Sequence, residues 1–175
     1  MIIIGQIGTT YWITGLAGAG KSTVGGLLYK RIKSGKANVV LLDGDEIRAA
    51  FPSGDYSMEG RLKVTYQMGR LAKMLNGQDI DCVCCIVGMI DECRRWNREN
   101  IQNYVEIYVK VPIEELIRRD QKGLYSRALR GEIGNVWGVD LPVEEPKSAD
   151  VVLDNGGSRG VDEIFAELVS KLKNI

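Results

Sequence analysis

Residues 15–22, GLAGAGKS, have the spacing G-x-x-x-x-G-K-[ST], with apolar YWIT before them and a helical pattern after. Glycine at Gly15, Gly18 and Gly20 lets the backbone around Ala19 turn its N–H groups inward, which is the chemistry of a phosphate cradle. A helix beginning at Lys21 adds the positive end of its dipole. Lys21 then reaches the outer phosphates of a nucleoside triphosphate, Ser22 takes a Mg²⁺ position, and Thr23 lies close by. A glycine-rich turn with a surface lysine shows the same bare pattern, but the strand before and the helix after favour the phosphate site.

A second group stands in residues 39–51, VVLLDGDEIRAAF, where an apolar run stops at Asp43 and Asp45 and Arg48 follows. Strand ends line the crevice beside a phosphate loop, so both carboxylates face the phosphates. One can help hold the metal and its waters while the other orients and deprotonates an acceptor hydroxyl; the sequence does not separate the two roles. Arg48 either pairs with Asp45 across one helical turn or clamps an anionic group on the acceptor. Arg61 stands on the same stripe as Val64, Met68, Leu71 and Leu75 of a helix starting near Glu59. A cation leading an apolar stripe suggests a cleft lining, the plainer alternative being an arginine that snorkels at a helix end.

The chain has no histidine, which excludes an imidazole base, a Ser-His-Asp triad and a histidine-ligated metal. Acid–base work falls to carboxylates, lysine or tyrosine. A guanine-specific switch would carry N-K-x-D, which does not occur, so ATP is favoured. A hydrolytic ATPase or motor usually closes its third strand with an acidic residue, whereas CVCCIVG ends in glycine. Transfer to an acceptor hydroxyl is the leading chemistry; an ATP-binding module without catalysis is the alternative.

These residues need a frame that brings strand ends together. Apolar runs YWIT, NVVLL, CVCCIV, VEIYVKV and DVVLD alternate with helical patterns near Lys21 to Lys33, Glu59 to Asn76, Asp91 to Gln102, Pro112 to Asp120 and Val161 to Leu172. Five strands separated by helices imply an α/β fold with a parallel, doubly wound sheet. Gly35, Gly77 and Gly156 fall where helix ends or turns are wanted. Residues 122–147, rich in glycine, charge and isolated aromatics, read as a mobile lid rather than core.

The 175 residues fit one domain, and 23 basic against 23 acidic residues give no reason to expect nucleic acid or an anionic membrane. Cys82, Cys84, Cys85 and Cys93 match neither a disulfide framework nor zinc spacing and read as buried, reduced thiols of a cytoplasmic protein. The opening MIIIGQIGTTYWITG lacks a basic leader and is not expected to be a signal peptide. No window reaches the roughly 18 apolar residues of a membrane span.

Taken together, TGLAGAGKST, LDGDEIR, the YSMEGR region, RDQKGLY and RGEIGNVWGVDLPVEEP resemble the adenylylsulfate (APS) kinase family of P-loop kinases, in matching order from about Tyr11 to Asp154. The resemblance implies the three-layer P-loop NTPase fold, a homodimer, and transfer of the γ-phosphate of MgATP to the 3′-hydroxyl of a nucleotide bearing an anionic group on its α-phosphate. By that likeness Asp45 would be the base, Asp43 would support metal and acceptor, and Arg48 and Arg61 would hold the acceptor's anionic groups. Lys122, with Gly123 and Leu124, would touch the acceptor or the transferring phosphate as the lid closes. Arg119 and Asp120 would sit beside the ATP adenine. Tyr56 would be one stacking aromatic, with Val136, beside Trp137, at the position of the other.

The acceptor side departs from the APS pattern. Val64 stands where the family has asparagine, Tyr66 and Gln67 where it has an arginine pair, Ile86-Val87-Gly88 where it has Ile-Ser-Pro, and Val136 where it has phenylalanine. Altering a base sandwich costs affinity, since stacking is worth roughly 1–3 kcal/mol per base. In this region the chain resembles a related branch, the cytidine diphosphoramidate kinases of bacterial capsule modification. The resemblance thus leaves two acceptors open: APS, giving PAPS in sulfate assimilation, or a cytidine diphosphate conjugate.

Overall fold

The computed structural model describes residues 7–51 and 54–173, so the first six residues of the apolar opening lie outside it. Five strands form one parallel sheet: β1 (Thr10–Thr14), β2 (Val39–Asp43), β3 (Asp81–Cys85), β4 (Tyr104–Lys110) and β5 (Val151–Asp154), in the order β2-β3-β1-β4-β5. Each strand after β1 follows a helical connection and all four pairings are parallel, so the five strands point the same way and their C-terminal ends share one edge. Register levels Asp43 with Cys85 and Cys85 with Ile13. The aspartate at the end of β2 therefore stands two strands from the start of the phosphate loop.

The helices are α1 (Lys21–Lys33), α2 (Gly44–Ala50), α3 (Met58–Asn76), α4 (Asp91–Asn100), α5 (Ile113–Arg119), α6 (Leu124–Leu129) and α7 (Val161–Leu172). Successive strand side chains point to opposite faces, and two cores result. Ile13, Val83, Ile107 and Leu153 pack with Val24 and Leu28 of α1 and with Ile164 and Leu168 of α7. Trp12, Cys82 and Cys84 pack with Ile47 of α2 and with Val64, Met68 and Ala72 of α3. The result is the three-layer α/β arrangement.

Helix α1 lies very close to β3: a Cβ at Gly25 would collide with the Cys85 sulfur. The four cysteines are buried and free, and burial raises the Cys82, Cys85 and Cys93 thiols to about 12. They are packing residues, not nucleophiles.

Three features differ from the sequence reading. Residues 44–50, outside the expected helical patterns, form α2, started by Asp43 whose carboxylate accepts from Asp45 N–H at 2.9 Å. Helix α4 ends at Asn100, two residues early. The segment taken wholly as lid contributes to the core: Tyr125, Val136 and Trp137 are at most 5% exposed, and residues 124–129 are helical. Isolated aromatics can each reach the core from an irregular chain, which leaves no periodic stripe to read.

Candidate active site

The chain leaves β1 into the loop at residues 15–20, where Gly15, Gly18 and Gly20 all have positive φ. At Gly20, with φ 98°, a Cβ would also stand 2.9 Å from the Asn155 amide nitrogen, so only glycine suits the position. Lys21 Nζ donates to Leu16 O across the loop at 2.9 Å. Burial lowers the Lys21 ammonium to about 8, against the opposing pull of Cys85, Asp43 and Asp45.

That shift has a consequence for binding. An anionic triphosphate favours the protonated lysine and raises its pKa, so between the free and bound values binding takes up a proton. ATP affinity should hold below pH 8 and fall as pH rises above it, by up to about tenfold per pH unit. Calorimetric titrations at pH 7 and 9 in buffers of different ionisation enthalpy would show the proton uptake only at the higher pH.

Ser22 Oγ donates to Asp43 Oδ2 at 2.7 Å, and the other Asp43 oxygen is held by the Asp45 N–H. The side chains of Ser22, Thr23 and Asp45 are exposed, and Asp45 forms no side-chain hydrogen bond among the described residues. One hydroxyl and one carboxylate meeting beside a phosphate loop suit Mg²⁺, which takes few protein ligands and completes its shell with phosphate oxygens and water. Among the described residues no group of three or more His, Cys, Asp or Glu side chains is placed to hold a metal ion by itself.

On the other side of α2, Arg48 and Arg61 come together around Tyr56. Their guanidinium carbons lie 4.8 and 5.7 Å from the Tyr56 ring centre, and Arg61 is also 5.6 Å from Trp137. Arg61 Nε donates to Tyr56 O at 2.9 Å, its Nη2 donates to Asn135 O, and Arg48 Nη1 reaches Asp55 O at 3.4 Å. Among the described residues neither arginine has a carboxylate partner, so the Arg48–Asp45 pair expected as one alternative does not form. Burial, then the Arg48 charge, depresses the Arg61 pKa. Two half-buried guanidinium groups, within the influence of Asp55 and Asp140 but in no salt bridge among the described residues, suit an anion.

Tyr56 is exposed, whereas Val136 and Trp137 are buried, Val136 within the core beneath the lid turn. Asp140 fixes that turn by accepting the Asn135 and Val136 N–H groups. Of the departing positions, Val64 is core, and Tyr66 packs edge-on against Trp96 at 5.9 Å. The Val87 carbonyl accepts from the Thr14 hydroxyl and from Gly15 N–H, tying the loop after β3 to the phosphate loop.

The segment after α5 is bound to the phosphate loop from the other side. Tyr125 Oη donates to Ala17 O at 2.8 Å, and Lys122 and Gly123 both adopt left-handed backbone, φ 59° and 66°. Backbone strain of this kind concentrates at functional sites. Lys122 is exposed and Leu124 half-buried; Arg127 and Arg130 are surface charges paired with Glu132. Asp120, expected with Arg119 beside the adenine, turns its side chain to the backbone. Its carboxylate accepts from the Tyr125 and Ser126 N–H groups, and these bonds lower its pKa.

Arg119 does line a cleft of about 240 Å³ beside the loop, with Gly18, Gly20, Thr23, Gln121, Asn155 and the apolar Val161 and Ile164. Asn155 and Gln121 were missed in the sequence. For Asn155 one signal existed: it directly follows the β5 run DVVLD, at the strand-end edge where ligands bind.

The profile of the adenylylsulphate kinase family matches residues 7–154. The cytidine diphosphoramidate kinase of Campylobacter jejuni is 40% identical over 161 residues, covering 92% of this chain and 94% of that protein. A probable adenylyl-sulfate kinase of Archaeoglobus fulgidus is 40% identical over 144 residues, 82% of this chain and 93% of its own. The Mycobacterium tuberculosis APS kinase, solved in complex with AMPPNP and APS, superposes with a TM-score of 0.86 at 30% identity, covering 97% of this chain and 99% of that one. With the phosphate loop, the strand-end aspartates and the sheet order all on that pattern, the chain belongs to the adenylylsulphate kinase family of ATP-using nucleotide kinases.

Proposed function

We propose that the protein transfers the γ-phosphate of ATP to the 3′-hydroxyl of a cytidine diphosphate conjugate, of the kind named for the Campylobacter relative. The observation that supports an acceptor with anionic groups is the pair of guanidinium groups, Arg48 and Arg61, clustered on Tyr56 with no salt bridge to a carboxylate among the described residues. What favours the cytidine conjugate over APS is that the 40% identity to the Campylobacter protein extends over 92% of this chain, against 82% for the equally identical Archaeoglobus protein. APS stays the second reading, carried by the likeness of the whole fold to the structure solved with APS.

In this reading the loop N–H groups and Lys21 hold the β- and γ-phosphates. Arg48 and Arg61 anchor the acceptor's anionic groups, the exposed Tyr56 stacks on its base, and the lid with Lys122, Gly123 and Leu124 excludes water. Asp45, whose carboxylate is unengaged, accepts the 3′-hydroxyl proton as that oxygen bonds to the γ-phosphorus. The bond to the bridging oxygen breaks and ADP leaves. Asp43, already committed to Ser22 and to its cap, positions rather than deprotonates. Mg²⁺, held through Ser22 and Asp43, supplies charge neutralisation on the phosphates.

Incubation with MgATP and either cytidine diphosphoramidate or APS, with products resolved chromatographically, tests the proposal. Phosphorylation of the cytidine conjugate at least tenfold more efficiently than APS is the expected result. The reverse order sinks the choice of acceptor, and inertness towards both sinks the reaction class. We also propose a homodimer in the cytoplasm: the family resemblance supports the first, and four reduced buried thiols suit the second. Light scattering measures the oligomeric state.

A further inference from the structure

We infer that Tyr125 is a positioning residue for phosphate binding: by holding the Ala17 carbonyl from the lid segment, it aims the Gly18 N–H at the triphosphate. The inference rests on the phosphate loop holding the donor and is independent of the acceptor's identity.

The tyrosine is firmly placed. Tyr125 is 1% exposed, belongs to the core that also contains Leu16, Ala19 and Leu116, and donates from Oη to Ala17 O at 2.8 Å. Its backbone is fixed in turn, because the Asp120 carboxylate accepts from the Tyr125 N–H at 2.9 Å and from the Ser126 N–H at 3.0 Å. Burial pushes the phenol up to about 12, so the hydroxyl remains a donor throughout the neutral range. Packing alone would be served as well by phenylalanine. The hydroxyl needs a partner, and the partner it has lies in the phosphate loop.

In a planar trans peptide the carbonyl and the following N–H point in opposite directions. With its carbonyl held by the phenol, the peptide joining Ala17 to Gly18 turns the Gly18 N–H away from Tyr125. That N–H has no acceptor among the described residues, whereas others in the loop are occupied: Gly15 N–H donates to Val87 O, and Ala19 N–H to Leu16 O at 3.1 Å. A backbone donor left open in such a loop is what an anion requires. The next carbonyl but one is held in the same manner, Ala19 O accepting from Asn155 Nδ2 at 2.8 Å, and the Gly20 N–H that follows is likewise without an acceptor among the described residues. Without the phenol oxygen the peptide before Gly18 is freer to rotate, since glycine restricts its own dihedrals least, and the N–H loses its aim.

Tyr125→Phe removes the donor and keeps the ring. Calorimetric titration with MgATP in the absence of acceptor gives the affinity, and the amide proton shift of Gly18 in protein isotope-labelled at glycine nitrogen gives the local geometry. In the wild-type protein the Gly18 amide proton should move downfield when MgATP binds. Tyr125→Phe is expected to bind MgATP about three- to tenfold more weakly, the worth of one hydrogen bond, and to show a smaller Gly18 shift at saturation. Replacing Tyr125 by para-aminophenylalanine, which keeps a donor on the ring, should recover at least part of both. A role in stability alone would lower the thermal unfolding temperature of Tyr125→Phe and leave its affinity and its Gly18 shift as in the wild type; that result overturns the inference. So, without any variant, does a wild-type Gly18 amide that stays unmoved on ATP binding. A wild-type protein that fails to bind MgATP at all would sink the reading of the loop together with this inference, which keeps the two failures distinguishable.

Discussion

Asp45→Asn is expected to lower kcat by about 10²–10⁴ while leaving ATP affinity within about twofold. The expectation follows from what each oxygen near the loop already does. Asp43 is engaged on both sides, by the Ser22 hydroxyl at 2.7 Å and the Asp45 N–H at 2.9 Å, whereas the Asp45 carboxylate is exposed and, among the described residues, without a side-chain hydrogen bond. Asparagine keeps the shape and the backbone cap but cannot accept a proton. An interaction made chiefly in the transition state is then lost, and the phosphate cradle is not. Steady-state kinetics with calorimetric ATP titration separates the two quantities. Equal losses in turnover and in ATP affinity would make Asp45 a metal or nucleotide ligand instead.

Arg61→Ala is expected to lower kcat/KM for the acceptor by about 30- to 1,000-fold, the equivalent of roughly 2–4 kcal/mol. Removing this cation takes away an anion partner in a half-buried place, where it is worth more than at the surface. Arg61 also joins two parts of the chain: its Nε holds Tyr56 O ahead of α3, and its Nη2 holds Asn135 O in the lid turn. Arg61→Lys keeps the charge but cannot make both bonds at once, so it should recover only part of the loss. ATP affinity measured without acceptor should not move in either variant. A fall in ATP affinity as large as the fall in acceptor efficiency would mean that Arg61 maintains the whole lid rather than the acceptor site.

The site was legible in unequal parts, for physical reasons. The phosphate loop is local chemistry: Gly15, Gly18, Gly20, Lys21 and Ser22 act through backbone geometry within eight successive residues, so their pattern survives in one dimension. The bounds of two helices, Lys21–Lys33 and Val161–Leu172, were legible and the structure reproduces them. Helix α2 was missed because only seven residues carry it and an aspartate cap, not an apolar stripe, starts it. The lid was misread in part because Tyr125, Val136 and Trp137 each bury alone.

By itself the sequence determined that a phosphate-loop pattern stands at a strand-to-helix turn, that no histidine can serve in proton transfer, and that a parallel α/β sheet carries the loop. Each is set by residue type and local spacing. Only the tertiary structure decided that Arg48 leaves Asp45 for Tyr56, that Asp43 and not Asp45 is tied to Ser22, and that Asn155 reaches back 136 residues to Ala19. Those choices depend on which strand ends and loops the sheet order brings side by side. Partners so far apart in the chain leave no local spacing to read.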